Sequence, residues 1–466
     1  MAILPLKEIA RIVGRDQLLT SAQDRHCYGY DASRLHGLPD AVAFPGNADE
    51  VAALLKLANR DGFPIFPRGA GSGMVGAAVP WSGGLVLAMN RFNRILEIDE
   101  EDMIAVAEPG VVTGALQQAV EAIGLFYPPD PASLHFSTLG GNVAMGAGGP
   151  RGLKYGVTRD YVLGLEVVLP HGAVLKTGTR TTKGVVGYDL TRLMVGSEGT
   201  LGIFTRITVR LIPRPPAVRT LCAVFPRLEA AGEAVCALVR ARILPATVEI
   251  LDQTTLKAVE NHLHLGLPTA AEAVLLIEID GEEWVLERQL IDVENLCRRL
   301  GASPVQTARS HDERERLWRA RRAVSPALGR IRPGKINEDI TVPRSRIPEL
   351  LRFISGLAQR HRLVIASFGH AGDGNLHTNI LLDRSDAEER ARAERAVGDL
   401  CRHVLELGGT ISGEHGVGIA KSPFFHQEVG REGWEAMWAI KRALDPLNIL
   451  NPGKMFVPNR VFFGAL

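Results

Sequence analysis

Three glycine-rich loops punctuate the first half of the chain: GAGSGMVGAAVP from Gly69 to Pro80, PPDPASLHFSTLGGNVAMGAGGPRGLKYG from Pro128 to Gly156, and VGSEGTLGIFT from Val195 to Thr205. A glycine loop behind a strand exposes backbone N–H groups with no Cβ in the way, which suits a nest for a diphosphate. The first loop closes an α/β unit. AVAFPG reads as a strand, Asn47 and Glu50 have the spacing of a capping box that opens a helix, Gly62 stops that helix, and PIFPRG is the next strand. Gly71, Gly73 and Gly76 match G-x-G-x-x-G, but Pro80 and the run of small residues argue against a helix at that point. A nicotinamide-type Rossmann site needs its pyrophosphate on a helix N-terminus, so that reading is set aside while phosphate cradling survives. In the second loop Ser137 or Thr138 can cap a helix beginning with Gly140 and Gly141, offering orphan N–H groups to an anion or a carbonyl. The third loop precedes the alternating strand ITVRLIP. One large nucleotide cofactor running across all three is the expectation.

A chain of 466 residues is too long for one core of ordinary size. The Arg/Pro cluster IPRPPAVR marks the boundary, giving an N-terminal domain over residues 1–215 (core 38–215) and a second over 216–466. Beyond it glycines thin out and the pattern becomes strand (TLCAVFP), helix (228–242), strand (ATVEILD), helix, strand (AVLLIEID), helix (284–300), which predicts an α+β domain with an antiparallel sheet. Lys+Arg at 53 against Asp+Glu at 52 removes the electrostatic footprint of a nucleic-acid binder. Cys27, Cys222, Cys236, Cys297 and Cys401 form no Cys-x-x-Cys pair and fit a reducing cytoplasm. No apolar run reaches the length of a membrane span, so any peripheral attachment to a membrane would come through a partner.

The second half carries the chemistry. LVIASFGH and LHTNILL read as two strands joined by the tight turn AGDGN, placing His370 and His377 opposite each other on a hairpin, within reach of one ion. Glu414, in ISGEHGVG, is the third candidate ligand of a catalytic metal site with open positions. His415 beside it is the candidate general base, provided the loop between Gly413 and Gly416 is irregular enough to turn adjacent side chains the same way. Arg321, Arg322 and Ser325 fall within one turn of a predicted helix, and a guanidinium there suits a carboxylate substrate. His262 and His264, in NHLHLG, read as structural or solvated.

With PRGAGSG, FSTLGGNVAMGAGGPRGLKYG, VGSEGTLGI, FGHAGDGNLH, SGEHGVG and DPLNILNPGKMF in order, the chain resembles the FAD-linked oxidases of the glycolate oxidase, D-lactate dehydrogenase and D-2-hydroxyglutarate dehydrogenase family, within the vanillyl-alcohol oxidase superfamily. The resemblance implies an α+β protein: a two-subdomain FAD-binding domain followed by a ferredoxin-like antiparallel-sheet cap. It implies non-covalent FAD, because Ala70, Gly71 and Ser72 stand where some relatives carry a tethering histidine. Carried over by position, Pro67, Arg68, Gly69, Ala70, Gly71, Ser72 and Gly73 cradle the diphosphate; Met74, Pro129, Asp130, Ser137, Thr138, Gly141, Asn142 and Ala144 line the flavin; Glu198, Gly199, Gly202 and Ile203 serve the adenosine side; and Asn451 returns from the C-terminus. His370, His377 and Glu414 would bind zinc, or manganese or iron, with His415 as the base and Asn379 on the substrate. Arg321 and Ser325 would grip the substrate carboxylate with Lys335, which falls slightly out of register, Asn337 occupying the expected place.

The implied reaction is metal-assisted oxidation of a D-2-hydroxy acid, D-lactate or glycolate foremost, to the 2-oxo acid with hydride passing to flavin N5. D-2-hydroxyglutarate oxidation, or service as an FAD-carrying component of a glycolate oxidase complex, are the alternatives; a non-redox flavin transferase is a more distant rival. An electron-transfer flavoprotein, a quinone reached through an iron–sulfur subunit, and a cytochrome are all compatible acceptors, and a homodimer or glycolate oxidase partner subunits are compatible assemblies.

Overall fold

The computed structural model describes residues 4–456, which form two compact units. Unit 1 comprises residues up to Gly148, Val157–Arg214 and the chain from Glu414 onward; unit 2 comprises Gly149–Gly156 and Pro215–Gly413. The chain divides near Pro215, but residues from Glu414 onward group with unit 1, whereas the sequence reading put 216–466 in one domain. The C-terminal segment belongs to unit 1 because its backbone extends a sheet there: Ile65 N–H donates to Ile449 O (2.8 Å) and Asn451 N–H to Ile65 O (2.7 Å).

Unit 1 holds two main sheets. In the first, Leu18–Leu19, Ala41–Ala43, Leu85–Ala88 and Ile65–Arg68 lie side by side in that order, the last three parallel. Parallel strands need a crossover, and the helix Ala48–Asp61 provides one. Asn47 accepts from Glu50 N–H (2.9 Å) and Gly62 ends the helix in the left-handed region (φ 72°), as its sequence requires. Its face of Val51, Leu54, Leu55 and Ala58 is fully buried, each Leu contributing roughly 1.5–3 kcal/mol. The second sheet is antiparallel, in the order Ile95–Asp99, Ile104–Ala107, Ile203–Arg210, Val162–Val168, Val174–Gly178.

Unit 2 is built on a seven-stranded sheet in the order Val305–Thr307, Ala217–Phe225, Ala273–Gly281, Thr247–Asp252, Val364–Gly369, Asn375–Leu382, Gly334–Thr341, every pairing antiparallel. The predicted helices appear as Leu228–Arg240 and Glu283–Arg299. His264 is the left-handed C-cap of the helix Gln253–Leu263 (φ 51°), a structural place. Among the described residues no helix is long and apolar enough to cross a membrane, and no disulfide joins Cys27, Cys222, Cys236, Cys297 or Cys401.

Candidate active site

In unit 1 the glycine loops converge on one cleft enclosing about 1280 Å³, open solvent at its mouth included. Pro67, Arg68, Gly69, Ala70, Gly71, Ser72, Gly73 and Met74 form one wall; Thr138, Gly141, Asn142 and Ala144 form another; Glu198, Gly199, Gly202 and Ile203 form a third. The amides of Ala70, Gly71, Ser72 and Gly73 meet no acceptor among the described residues, which is what a diphosphate nest requires. Glycine suits position 71: its φ is +70°, and an added Cβ would crowd Nη2 of Arg68. The Arg68 guanidinium is itself buried, its Nη1 donating to Tyr30 O (2.7 Å), so it supports the loop from behind.

The second loop corrects an expectation. Thr138 is the cap, accepting from Gly141 N–H (3.2 Å), but the helix Leu139–Met145 does not present orphan donors. Leu139 N–H donates to Val111 O and Gly140 N–H to Pro109 O (2.8 Å each), so its first amides are already satisfied. Close packing accounts for this: a Cβ on Gly140 would collide with Pro109 Cβ. Pro129, Asp130, Ser137 and Asn451 stand outside the lining. Pro129 O accepts from Gln117 (2.8 Å), Ser137 O from Thr113 N–H (3.0 Å), and Asn451 Nδ2 donates to Ala77 O (3.0 Å) and Glu198 O (2.6 Å), so Asn451 fastens the wall from behind.

Glu414 and His415 line this same cleft. The loop carrying them is irregular, with Gly416 at φ 84°, and adjacent side chains therefore reach one cavity; His415 Nε2 is 3.7 Å from Glu414 Oε1. Glu198 serves this loop too. Its buried carboxylate accepts from Val417 N–H (2.6 Å) and Gly418 N–H (2.7 Å), and burial pushes its pKa up to about 7 against the pull of those amides.

In unit 2 the histidine hairpin forms with a different register from the one expected. His377 pairs with Phe368, and His370 lies just beyond the strand end in the turn. Their rings nonetheless meet edge to face with centroids 5.3 Å apart. Gly369 permits the bend: its φ is +149°, and a Cβ would lie 2.8 Å from Asn375 O. A carboxylate accompanies each imidazole. Nδ1 of His370 is hydrogen-bonded to Glu249, and Nδ1 of His377 is 3.8 Å from Asp339, its cross-strand partner. The Glu249 carboxylate orients the His370 ring through Nδ1, as carboxylates do for metal-binding histidines, while Asp339, 3.8 Å from His377 Nδ1, lies beyond hydrogen-bond reach; two imidazoles with acids beside them are donors of the kind a divalent ion takes.

Neither Glu249 nor Asp339 is expected from the sequence reading. The available signal is an acid at an inward position of an apolar strand, TVEILD and NEDIT respectively. Glu249 also pairs with Nε of Arg321, so one edge of that guanidinium is committed before any substrate arrives. Burial alone would raise the Glu249 carboxyl, but Arg321 and His370 together hold it well below the usual carboxylate range. Lys335, Asn337 and Asp339 alternate onto one face of their strand, opposite Asn379 and His377 on the next. Lys335 Nζ donates to Ser325 Oγ (2.7 Å), and Oδ1 of Asn379 is buried and meets no donor among the described residues.

Residues 39–178 match the FAD binding domain family and residues 214–455 match the family of FAD linked oxidases, C-terminal domain. The chain belongs to the FAD-linked oxidases. This oxidase is 47% identical to the glycolate oxidase subunit GlcD of Bacillus subtilis (strain 168), over 97% of its own length and 96% of the relative's. It is 40% identical to the subunit of the same name from Escherichia coli (strain K12), over 92% and 85%, and 34% identical to the mitochondrial D-lactate dehydrogenase [cytochrome] of Arabidopsis thaliana, over 96% and 79%. Its fold is that of p-cresol methylhydroxylase (TM-score 0.80, 19% identity, 97% and 96% covered) and of alkyldihydroxyacetonephosphate synthase (TM-score 0.76, 21% identity, 97% and 86% covered). The expected vanillyl-alcohol oxidase-type architecture is thus present, and the glycine-walled cleft of this FAD-linked oxidase is its candidate cofactor site.

Proposed function

We propose that this FAD-linked oxidase converts a small 2-hydroxy acid, glycolate or D-lactate, to the 2-oxo acid. The observation that carries the reading is that His415 and Glu414 line the glycine-walled cleft, which supports a base beside the cofactor. The names of the relatives, glycolate oxidase subunit and D-lactate dehydrogenase, support the same substrate class.

Non-covalent FAD would lie against residues 67–74, 138–144 and 198–203, and when bound it supplies the two-electron acceptor. The imidazole of His415 takes the substrate hydroxyl proton as the carbon–hydrogen bond is broken. Lys335, Ser325 and the free edge of Arg321 hold the substrate carboxylate, with Asn379 Oδ1 as an acceptor beside it. His370 and His377 of unit 2 would hold a divalent ion, zinc or manganese or iron, whose charge would make a nearby hydroxyl easier to deprotonate. Electrons leave to a partner: an electron-transfer flavoprotein, a quinone through an iron–sulfur subunit, or a cytochrome. The word subunit in the relatives' names supports operation within a glycolate oxidase-like assembly.

Anaerobic visible spectroscopy of the purified protein tests this. Flavin bands should bleach on adding glycolate or D-lactate, and not L-lactate, and chelation of the metal should slow bleaching while leaving the oxidised bands in place. Bands that persist with glycolate, D-lactate and D-2-hydroxyglutarate alike would sink the reading.

A further inference from the structure

We propose that Glu198 is the positioning residue for His415, holding the proposed base in the cleft through the backbone of Val417 and Gly418. The inference rests on the reading of His415 as the base and adds to it a residue that never touches the proton.

A carboxylate is rarely buried without a purpose, and Glu198 is only 4% exposed. Both its oxygens point at one short stretch of backbone, accepting from the amides of Val417 at 2.6 Å and Gly418 at 2.7 Å. Two donors on one carboxyl group hold that stretch of backbone at two points. Gly416 lies against the same side chain: with φ at +84°, it has no Cβ, and one built there would be 2.8 Å from Glu198 Oε1. The loop is therefore shaped to the carboxylate.

Glu198 is itself held in a strained conformation. Its φ is +54°, the left-handed region that residues with a side chain rarely adopt. The surroundings fix it there: its N–H donates to Ala144 O (2.8 Å) and its carbonyl accepts from Asn451 Nδ2 (2.6 Å). Beyond the clamp, Ile419 N–H and Ala420 N–H both donate to Val75 O, at 2.8 and 3.0 Å. With residues 417–420 tied down, His415 hangs from a loop whose near end cannot drift. A displacement of about 1 Å at a reacting group can cost about 100-fold in rate. A neutral amide in place of the carboxylate offers one acceptor and turns an N–H₂ group toward a backbone donor.

The test is a double-mutant cycle on the flavin-loaded protein, read by the rate of anaerobic flavin reduction with glycolate or D-lactate. Glu198→Gln, with rates taken per bound flavin, should lower kcat about 10- to 100-fold while KM stays within about threefold. His415→Ala should be slower still, and adding Glu198→Gln to it should cost nothing more, because the clamp then has no base to position. Equal fractional losses from Glu198→Gln in the presence and absence of His415 would overturn the positioning role and leave the base assignment intact. Wild-type rates in His415→Ala would overturn the base assignment itself, and the clamp with it. Should Glu198→Gln fail to fold, hydrogen exchange on the unmodified protein decides: slow exchange at the amides of Val417 and Gly418 is expected, and exchange at the rate of an open loop would overturn the clamp.

Discussion

The cleft of unit 1 and the polar sheet face of unit 2 handle buried polarity in opposite ways. The cleft is made of backbone, with glycines clearing space and unclaimed amides at residues 70–73 waiting for an anion. The sheet face is made of side chains that neutralise one another: Glu249 joins Arg321 to His370, and Asp339 accepts from Asn375 Nδ2 (2.6 Å) and Ser412 (3.2 Å) beside His377. A backbone nest is specified by what residues lack, so it tolerates few additions. A charge network is specified by what residues carry, so it tolerates few deletions.

Removing Glu249 should therefore do the greatest damage. Glu249→Ala leaves the Arg321 charge buried without its partner, and the loss expected in urea unfolding is about 3–5 kcal/mol. A shift under about 1 kcal/mol would mean that the network contributes little to the fold of unit 2.

The buried glutamates should also give opposite pH slopes. Glu198, raised by burial to about 7 from 4.5, binds a proton in the folded state that the unfolded chain has released, so stability should fall as pH rises from about 4.5 to 7. Glu249, held below 4.5 by Arg321 and His370 against the effect of burial, contributes stability that is present above 4.5 and lost as pH drops through its lowered pKa. Each effect is on the order of 3 kcal/mol at most. Unfolding curves across pH for wild type and Glu198→Gln should differ by a slope between about 4.5 and 7; parallel curves there would contradict the assignment.

A single added methyl should have the smallest effect on the fold and a large one on the cofactor. Gly71→Ala costs about 1–2 kcal/mol for its positive φ and crowds the nest. The flavin-to-protein absorbance ratio should fall several-fold while far-ultraviolet circular dichroism is unchanged. Full flavin retention would mean that the loop is not the cradle.

The same contrast governs what the sequence could disclose. The Asn47 cap, the Thr138 cap and the strand Asn375–Leu382 are local signals, and each appears in the structure where local rules place it. Partners across a sheet are not local. Glu249 meets His370 only because Ile250 pairs with Gly369, a register that neither strand's own residues dictate. The hairpin register differs for a related reason: the turn starts one residue earlier than alternation suggests, and Gly369 absorbs the bend. The helix amides of Leu139 and Gly140 are taken by Val111 and Pro109, which lie in a distant loop.

The closing strand contact of unit 1 also orders events during synthesis. Ile449 and Leu450 complete the apolar cluster around Ile65 and Leu85, and Lys441 ties that segment down with bonds to Thr200 O and Leu450 O at 2.8 Å each. Lys441, Ile449 and Leu450 follow all of unit 2 in the chain, so the unit that begins to be made first cannot complete its apolar cluster until unit 2 has been synthesised. A product cut short before residue 441 would lack these contacts, leaving the Ile65 strand without the neighbour that covers its edge.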